Sequence, residues 1–482
     1  MEEYKNFVQR VGLVGITNIL IAISGIILIP IITKNLPTAD SGLWAIVNTT
    51  IALVPNIANL GLPYTMVRFL SSEKDKSKIK KSFYSMLAVV FVTSIVIFLI
   101  FIIFQNPIAD KLFEGNINLL YIVAIISFFA CINLMLISFF RTFHQIKRYS
   151  IFLILQTYIG VIISAYFTLT GQTIETVVLG LLVGYLVVFL MMGLMIVSYL
   201  GLPMAKFKNL KEELEFAIPT IPNNISSWAV DASDKYVITI FLGSAAVGYY
   251  FPSYALGSII LMFLSPFALL LPAILPKYFD EGNLNQVKIF LKYSMKYFLL
   301  FAIPAALGSS ILSKPILLIM TTQEIATNGY LVTPFVCLGA IFMGIYGIIN
   351  NILILEKKTK ILGKIWIFVG VANLVFTMIA VPFIGIIGAA LVTLICYLLA
   401  FIITAYHSKK YLELPFEYKS MIKIIIASII MGIFVYIVNP SGIMNVLITV
   451  LLAVAIYFGI LFLIKGVEKE EFNFFKKMIS ES

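Results

Sequence analysis

Three ionisable residues lie where the surrounding chain argues against them. Asp231, Asp234 and Lys235 fall within residues 216–250, FAIPTIPNNISSWAVDASDKYVITIFLGSAAVGYY. That run is otherwise long and apolar enough to cross a bilayer, for which about 20 residues suffice. A charge at the centre of such a span costs about 3 kcal/mol even on insertion scales, so a helix keeps it only where it faces protein or water. At about 100° per residue, Asn224, Ser227, Trp228, Asp231, Asp234 and Lys235 share one stripe roughly 120° wide. Ser226, Ala229, Ser233, Val237 and Ile240 take the other side. Three kinds of chemistry are open to the stripe. Asp231 and Lys235 can form an i,i+4 ion pair in a water-exposed cavity wall. Lys235 can neutralise a phosphate while the acids hold it or meet ligand hydroxyls. Alternatively an acid kept out of water gains proton affinity, binds H⁺ or Na⁺, and couples the protein to a gradient.

The elements that must position this stripe are set by composition. The chain has 482 residues, of which 61% are hydrophobic and only 12% charged, and its mean hydropathy is +1.04. A soluble protein could not bury so much apolar surface, so the chain is an all-α polytopic membrane protein. Fourteen apolar segments are expected, at roughly 11–33, 43–67, 83–104, 117–140, 151–170, 174–200, 216–242, 248–275, 293–312, 329–353, 365–383, 386–406, 420–438 and 443–464. The first reads as a retained span rather than a removed signal peptide. Cys131, Cys337 and Cys396 lie in separate segments, and His144 and His407 in predicted connections, so neither type forms a disulfide framework or a metal cluster.

The net charge of +11 would suit a nucleic-acid partner, but the placement of the charges argues for a membrane instead. The connections alternate in character. Of the 34 Lys and Arg, 30 fall in one set, including both termini; Lys34, Lys111 and Lys314 fall in the other, and Lys235 is intramembrane. This positive-inside pattern places both termini in the cytoplasm of a multi-pass cell-membrane protein and requires an even number of spans. The densest basic stretch, Arg68 to Lys81, suits anionic lipid head groups or a plain topology signal. Residues 205–216 and the tail after Lys465, with Phe472, Phe475 and Ile479, suggest interfacial helices.

A shift of 206 residues lays Asn18 on Asn224, Ile32-Thr33 on Ile238-Thr239, Leu36 on Leu242 and Gly42 on Gly248. Six spans separate the copies, so they run in the same direction. Such repeats are related by a pseudo-two-fold axis along the membrane normal, with a substrate path between the halves. The expected division is an N-lobe of six spans (1–204), a C-lobe of six (205–412), and two additional spans with a tail (413–482). In the first span Gly15, Asn18, Ala22 and Gly25 share a face, for close helix packing or for lining the same cavity as span seven. The second span carries Pro55, Asn56, Asn59, Gly61 and Pro63 and ends at Arg68; span eight carries Pro266, Pro272 and Pro276. Both should bend, with neighbouring polar groups satisfying the freed backbone.

Four local patterns carry a family resemblance. Asn59-Leu-Gly-Leu-Pro63 is followed by Val67-Arg68-Phe69. Ser138-Phe-Phe-Arg141 leads to Lys147-Arg148-Tyr149. Pro219 precedes Trp228, Ala232-Ser-Asp-Lys235-Tyr236 and Gly248-Tyr249-Tyr250. Asn373-Leu leads to Pro382-Phe-Ile-Gly385-Ile-Ile-Gly388-Ala-Ala390. In their order and spacing these resemble the polysaccharide-transporter branch of the multidrug/oligosaccharidyl-lipid/polysaccharide exporter superfamily, which includes O-antigen flippases. The resemblance implies alternating access that moves an isoprenoid-(pyro)phosphate-linked oligosaccharide from the inner to the outer leaflet for surface glycan biosynthesis. It implies a cationic cavity for the head group; the candidate substrate contacts read from the chain are Lys235, Arg68, Asn18, Asn224 and Trp228, with Asp231 and Asp234 as ion-coupling or wall residues. No cofactor is implied beyond H⁺ or Na⁺ coupling. The partners are the lipid-linked substrate, membrane lipids and glycan polymerase or glycosyltransferase machinery.

Two other classes stay in view. One is an H⁺- or Na⁺-coupled multidrug or metabolite antiporter of the same superfamily; fourteen spans and the lack of an acid in 11–33 argue against it. The other is a membrane glycosyltransferase, which would need a catalytic extramembrane loop, whereas the connections here are short. The chain is therefore not expected to be an enzyme.

Overall fold

Helices account for every regular element among the described residues. Lipid cannot hydrogen-bond a peptide group, and a helix satisfies its backbone within itself. A computed structural model of the chain describes residues 2–207, 210–413 and 416–466, with the backbone alone for 2–11, 220 and 223. The aromatic tail positions Phe472, Phe475 and Ile479 lie outside the described residues. In chain order the helices are α1 (Glu2–Asn35), α2 (Thr38–Ala58), α3 (Leu62–Leu70), α4 (Lys76–Ile103) and α5 (Gln105–Leu112). Next come α6 (Ile117–Thr142), α7 (Ile146–Leu169), α8 (Ile174–Leu200), α9 (Leu210–Ala217) and α10 (Ile221–Leu242). They are followed by α11 (Ser244–Ser258), α12 (Ser265–Asp280), α13 (Leu284–Ile311), α14 (Ser313–Met320) and α15 (Gln323–Gly329). The last five are α16 (Val332–Leu355), α17 (Thr359–Ile384), α18 (Ile386–Ser408), α19 (Tyr418–Val438) and α20 (Ile443–Leu463).

Among the described residues, thirteen helical spans are long and apolar enough to cross a membrane, with α11 and α12 counted as one. The fourteenth expected span is α10, 22 residues long and set apart by its three charges. His407, expected in a connection, belongs to the last turn of α18, where its Nδ1 lies 2.8 Å from the Ile403 carbonyl.

The expected bends have identifiable causes. Span two breaks between its prolines, at Asn59–Gly61, where Leu60 and Gly61 both take positive φ (48° and 75°). The freed Ala58 carbonyl accepts a hydrogen bond from Thr93 Oγ1 at 2.6 Å, and Asn59 Nδ2 donates to the Cys131 carbonyl at 3.1 Å. Neighbouring helices thus satisfy the interrupted backbone. Span eight tightens into a 3₁₀ segment at Ile259–Leu264, just before Pro266. Pro cannot donate to the preceding turn, and the ladder tightens ahead of it.

By compactness the chain divides at Gly248/Tyr249, one unit being Asn6–Gly248 and the other holding Tyr249 onward. α10 therefore packs within the first unit, against α2 and α5. The expected boundary at 204/205 rests on the sequence repeat and not on contacts. The first unit's core joins Leu62, Met66, Phe83, Met135, Phe139 and Met192. Phe83 and Phe139 meet edge to face at 5.0 Å, a geometry the ring quadrupoles favour. α9 lies against this unit through Leu214 and Ala217, and Phe216 stacks on Tyr64 and meets Phe69 edge-on. Phe207, within the expected interfacial segment 205–216, is exposed.

The second unit's core joins Ile260, Leu271, Phe298, Leu299, Ile345 and Ile349. Lys288, Lys292 and Lys296 recur every four residues along α13 and face the segment leading into α19. Lys288 pairs with Glu413 at 3.0 Å, while Glu417 takes Lys292 at 3.1 Å and the buried Lys296 at 3.6 Å. Burial alone would raise the Glu417 carboxyl, but hydrogen bonds from Lys292 and Ser420 and the charge of Lys296 outweigh it and hold the carboxyl below its ordinary value. A depressed carboxyl contributes stability above its unfolded value and loses it as pH falls through the folded one. Thermal unfolding of the purified protein should therefore show a loss of stability as pH falls below 4.5. Glu417→Gln should flatten that dependence and cost about 1–3 kcal/mol at neutral pH; an unchanged pH profile would remove Glu417 as its source.

Candidate functional site

The stripe on α10 divides in the folded chain. Val230, Ser233, Asp234, Val237 and Ile238 are buried, the i, i+3, i+4, i+7, i+8 pattern of a helix face laid against a neighbour. Asp234 is fully buried, whereas Asp231, one turn earlier, is exposed. Lys235 lies between them in exposure. Its ammonium is 3.7 Å from Asp234 Oδ1, and its backbone N–H donates to the same oxygen at 2.8 Å. A buried carboxylate persists only when paired and hydrogen-bonded, and Lys235 supplies both interactions. This pair of sequence neighbours was not among the expected ones.

Around the pair, Trp228 and Tyr236 bring their rings to 5.7 Å. The Tyr236 hydroxyl lies 2.7 Å from Thr50 Oγ1 on α2. Thr50 gives its own proton to the Ile46 carbonyl, so Tyr236 is the donor. The Trp228 indole N–H is buried with no acceptor among the described residues. Asn224 and Ser227 are half-buried, and Ser227 donates to the Asn224 carbonyl at 3.2 Å.

The C-terminal end of α10 is fixed by contacts that the sequence alone did not reveal. Glu114, in the turn after α5, takes hydrogen bonds from both the hydroxyl and the backbone N–H of Ser244. Gly42 and Gly248 bring α2 and α11 into backbone contact. A Cβ on Gly42 would lie 1.8 Å from the Ser244 carbonyl oxygen, and one on Gly248 2.2 Å from that of Thr38. The signal was present, since the 206-residue shift superposes these two glycines, but the shift does not say that they touch.

The remaining expected residues stand elsewhere in the first unit. Asn18 is exposed on α1, and a Cβ added to Gly15 or Gly25 would meet nothing within 4 Å. This face is open and does not serve close packing. α1 meets α7 through the Tyr158 hydroxyl, which donates to the Leu20 carbonyl at 3.0 Å. Arg68 is exposed in the last turn of α3. The structure thus gathers Trp228, Asp234, Lys235, Tyr236 and Thr50, while Asn18, Arg68 and Asp231 offer exposed polar groups from three helices. Among the described residues no group of His, Cys, Asp and Glu could hold a metal.

Comparisons with known proteins bear on what this arrangement serves. The profile of one family, described as polysaccharide biosynthesis protein, matches residues 7–276. A curated relative, the probable low-salt glycan biosynthesis flippase Agl15 of Haloferax volcanii, is 22% identical over 310 residues. That match covers 63% of this chain and 65% of the relative, so the chain spans just under two thirds of the length of the curated relative it matches. A solved lipid II flippase MurJ, in an inward closed conformation, superposes with a TM-score of 0.78 at 19% identity, covering 92% of this chain and 97% of that one. An inward-facing multidrug resistance MATE family transporter of the MOP superfamily gives 0.66 at 14% identity, covering 81% and 94%. At these identities the likeness is one of fold, a two-lobed helical transporter fold.

Proposed function

The chain belongs to the polysaccharide biosynthesis protein family, and from that membership we propose that it moves an isoprenoid-(pyro)phosphate-linked oligosaccharide from the cytoplasmic to the outer leaflet. The observation that carries the reading is the α10 stripe. It combines a lysine ammonium with an indole N–H that is buried without an acceptor, inside an otherwise apolar helix. Both are pure donors, suited to phosphate oxygens and sugar hydroxyls. Arg68, Asn18 and Asn224 supply further polar contacts in this reading. The fold shared with a flippase supports it.

The repeat-based division into 1–204, 205–412 and 413–482 belongs to the same proposal, the first two parts rocking about the substrate. So does the orientation, both termini being cytoplasmic on the weight of the 30 basic residues on one side. Glycan polymerase or glycosyltransferase machinery would then supply or consume the substrate, and the protein itself carries out transport without covalent catalysis.

A second reading, cation-coupled antiport, draws on the exposed Asp231 and the buried Asp234 in a transmembrane helix and on the fold shared with a multidrug transporter. One experiment separates the two. Lipid-linked sugars are inventoried in cells with and without the protein, split into leaflet pools by a membrane-impermeant glycan label. Deletion should make one species accumulate in the inner pool. Unchanged pools with increased sensitivity to cationic drugs would transfer the function to antiport. In that case Asp231→Asn, at an exposed position that tolerates the change, should abolish gradient dependence.

A further inference from the structure

The second unit carries a groove unconnected to α10. It opens between the α13–α14 junction and the α19–α20 turn and has a volume of about 880 Å³. Ser313, Lys314, Tyr330, Tyr436, Asn439 and Ser441 line it, and no carboxylate does. Lys314 is exposed, and its ammonium lies 5.5 Å from the Tyr330 ring centroid, within cation–π range. It is one of only three Lys or Arg in the charge-poor set of connections, so general topology signalling does not account for it. The groove therefore presents one fixed positive charge among hydroxyl and amide groups.

Two features say what reaches it. An apolar slot of about 280 Å³ shares Leu312 and Val435 with the groove and runs among Phe301, Val450, Val454 and Phe458. The Tyr457 hydroxyl in this slot is committed to the Leu300 carbonyl at 2.7 Å, leaving Ser309 as the other polar side chain in a mainly apolar lining. The rim is apolar and outward-facing as well: Tyr436, Ile437, Ile443 and Met444 are 75%, 74%, 61% and 65% exposed. Such a rim belongs in the bilayer interface, where tyrosines anchor. A polar cationic groove beside an apolar slot is the complement of an amphiphile with an anionic head.

We propose that this groove binds an anionic phospholipid of the surrounding leaflet, with the head-group phosphate at Lys314 and an acyl chain in the adjoining slot, as a resident lipid distinct from the transported one. The orientation proposed above makes that leaflet the outer one; the binding itself does not depend on it. The site holds the α13–α14 end and the α19–α20 turn in register with the membrane surface.

The test is native mass spectrometry of the purified full chain with phosphatidylglycerol or phosphatidylcholine. The wild type should retain phosphatidylglycerol preferentially. Lys314→Gln should weaken that retention about fivefold, which is what about 1 kcal/mol per basic residue near a lipid surface amounts to. Ser441→Asp, which sets a negative charge at the exposed rim, should weaken it at least as much, and Lys111→Gln should leave it unchanged. An excess of a long-chain isoprenyl phosphate should not displace the bound lipid. Equal retention of the two phospholipids, wild-type retention by Lys314→Gln, or displacement by the isoprenyl phosphate would each overturn the proposal. The measurement involves no transport, so its failure would leave the flippase reading untouched, and failure of the lipid inventory would leave this site untouched.

Discussion

Lys235→Met should destabilise the first unit by about 3 kcal/mol or more and abolish transport, because it removes the ammonium that faces a fully buried carboxylate. Lys235→Arg should keep the pair and the fold, since the guanidinium carries the same charge, though its planar fork differs from a point charge. The informative variant is the double change Asp234→Asn with Lys235→Met. With both charges gone, no buried carboxylate stands uncompensated, and thermal stability should return to within about 1–2 kcal/mol of the wild type. Transport should stay lost if Lys235 meets a substrate phosphate. A double variant that folds and transports normally would reduce the pair to wall structure and sink the head-group role. The comparison thus separates a structural ion pair from a binding group, which Lys235→Ala alone would confound.

Gly42→Ala is expected to be the second large effect. A new Cβ would fall 1.8 Å from the Ser244 carbonyl oxygen and 3.0 Å from the Gly248 backbone nitrogen. Backbone atoms of a packed helix cannot rotate aside as a side chain would, so the change should reach the upper end of overpacking costs, about 3 kcal/mol. Gly248→Ala should behave alike, its Cβ falling 2.2 Å from the Thr38 carbonyl oxygen. Gly25→Ala, where nothing lies within 4 Å, is the matched control and should unfold like the wild type. Equal melting temperatures for Gly42→Ala and Gly25→Ala would mean that α2 and α11 do not approach so closely.

Much of this protein follows from its sequence because lipid is a strict solvent. It forces backbone hydrogen bonding into helices, so thirteen of the fourteen expected spans return, among the described residues, as helices long and apolar enough to cross a membrane. It also penalises charge, so the special status of span seven could be read from Asp231, Asp234 and Lys235. The family resemblance was legible for a related reason, its four patterns falling at breaks, turns and the charged span. What packing decides could not be read. A 120° stripe does not say which of its edges meets α2, and that alone makes Asp234 buried and Asp231 exposed. Two prolines do not fix a break at Asn59–Gly61; hydrogen bonds from α4 and to α6 do. Lysines at every fourth position of α13 gain their meaning only when Glu413 and Glu417, more than a hundred residues later, come alongside. Lys314 reads as a stray charge until the α19–α20 turn closes a groove around it. In each case the chain supplies the group and a distant segment supplies its surroundings, and the surroundings set charge state, burial and role.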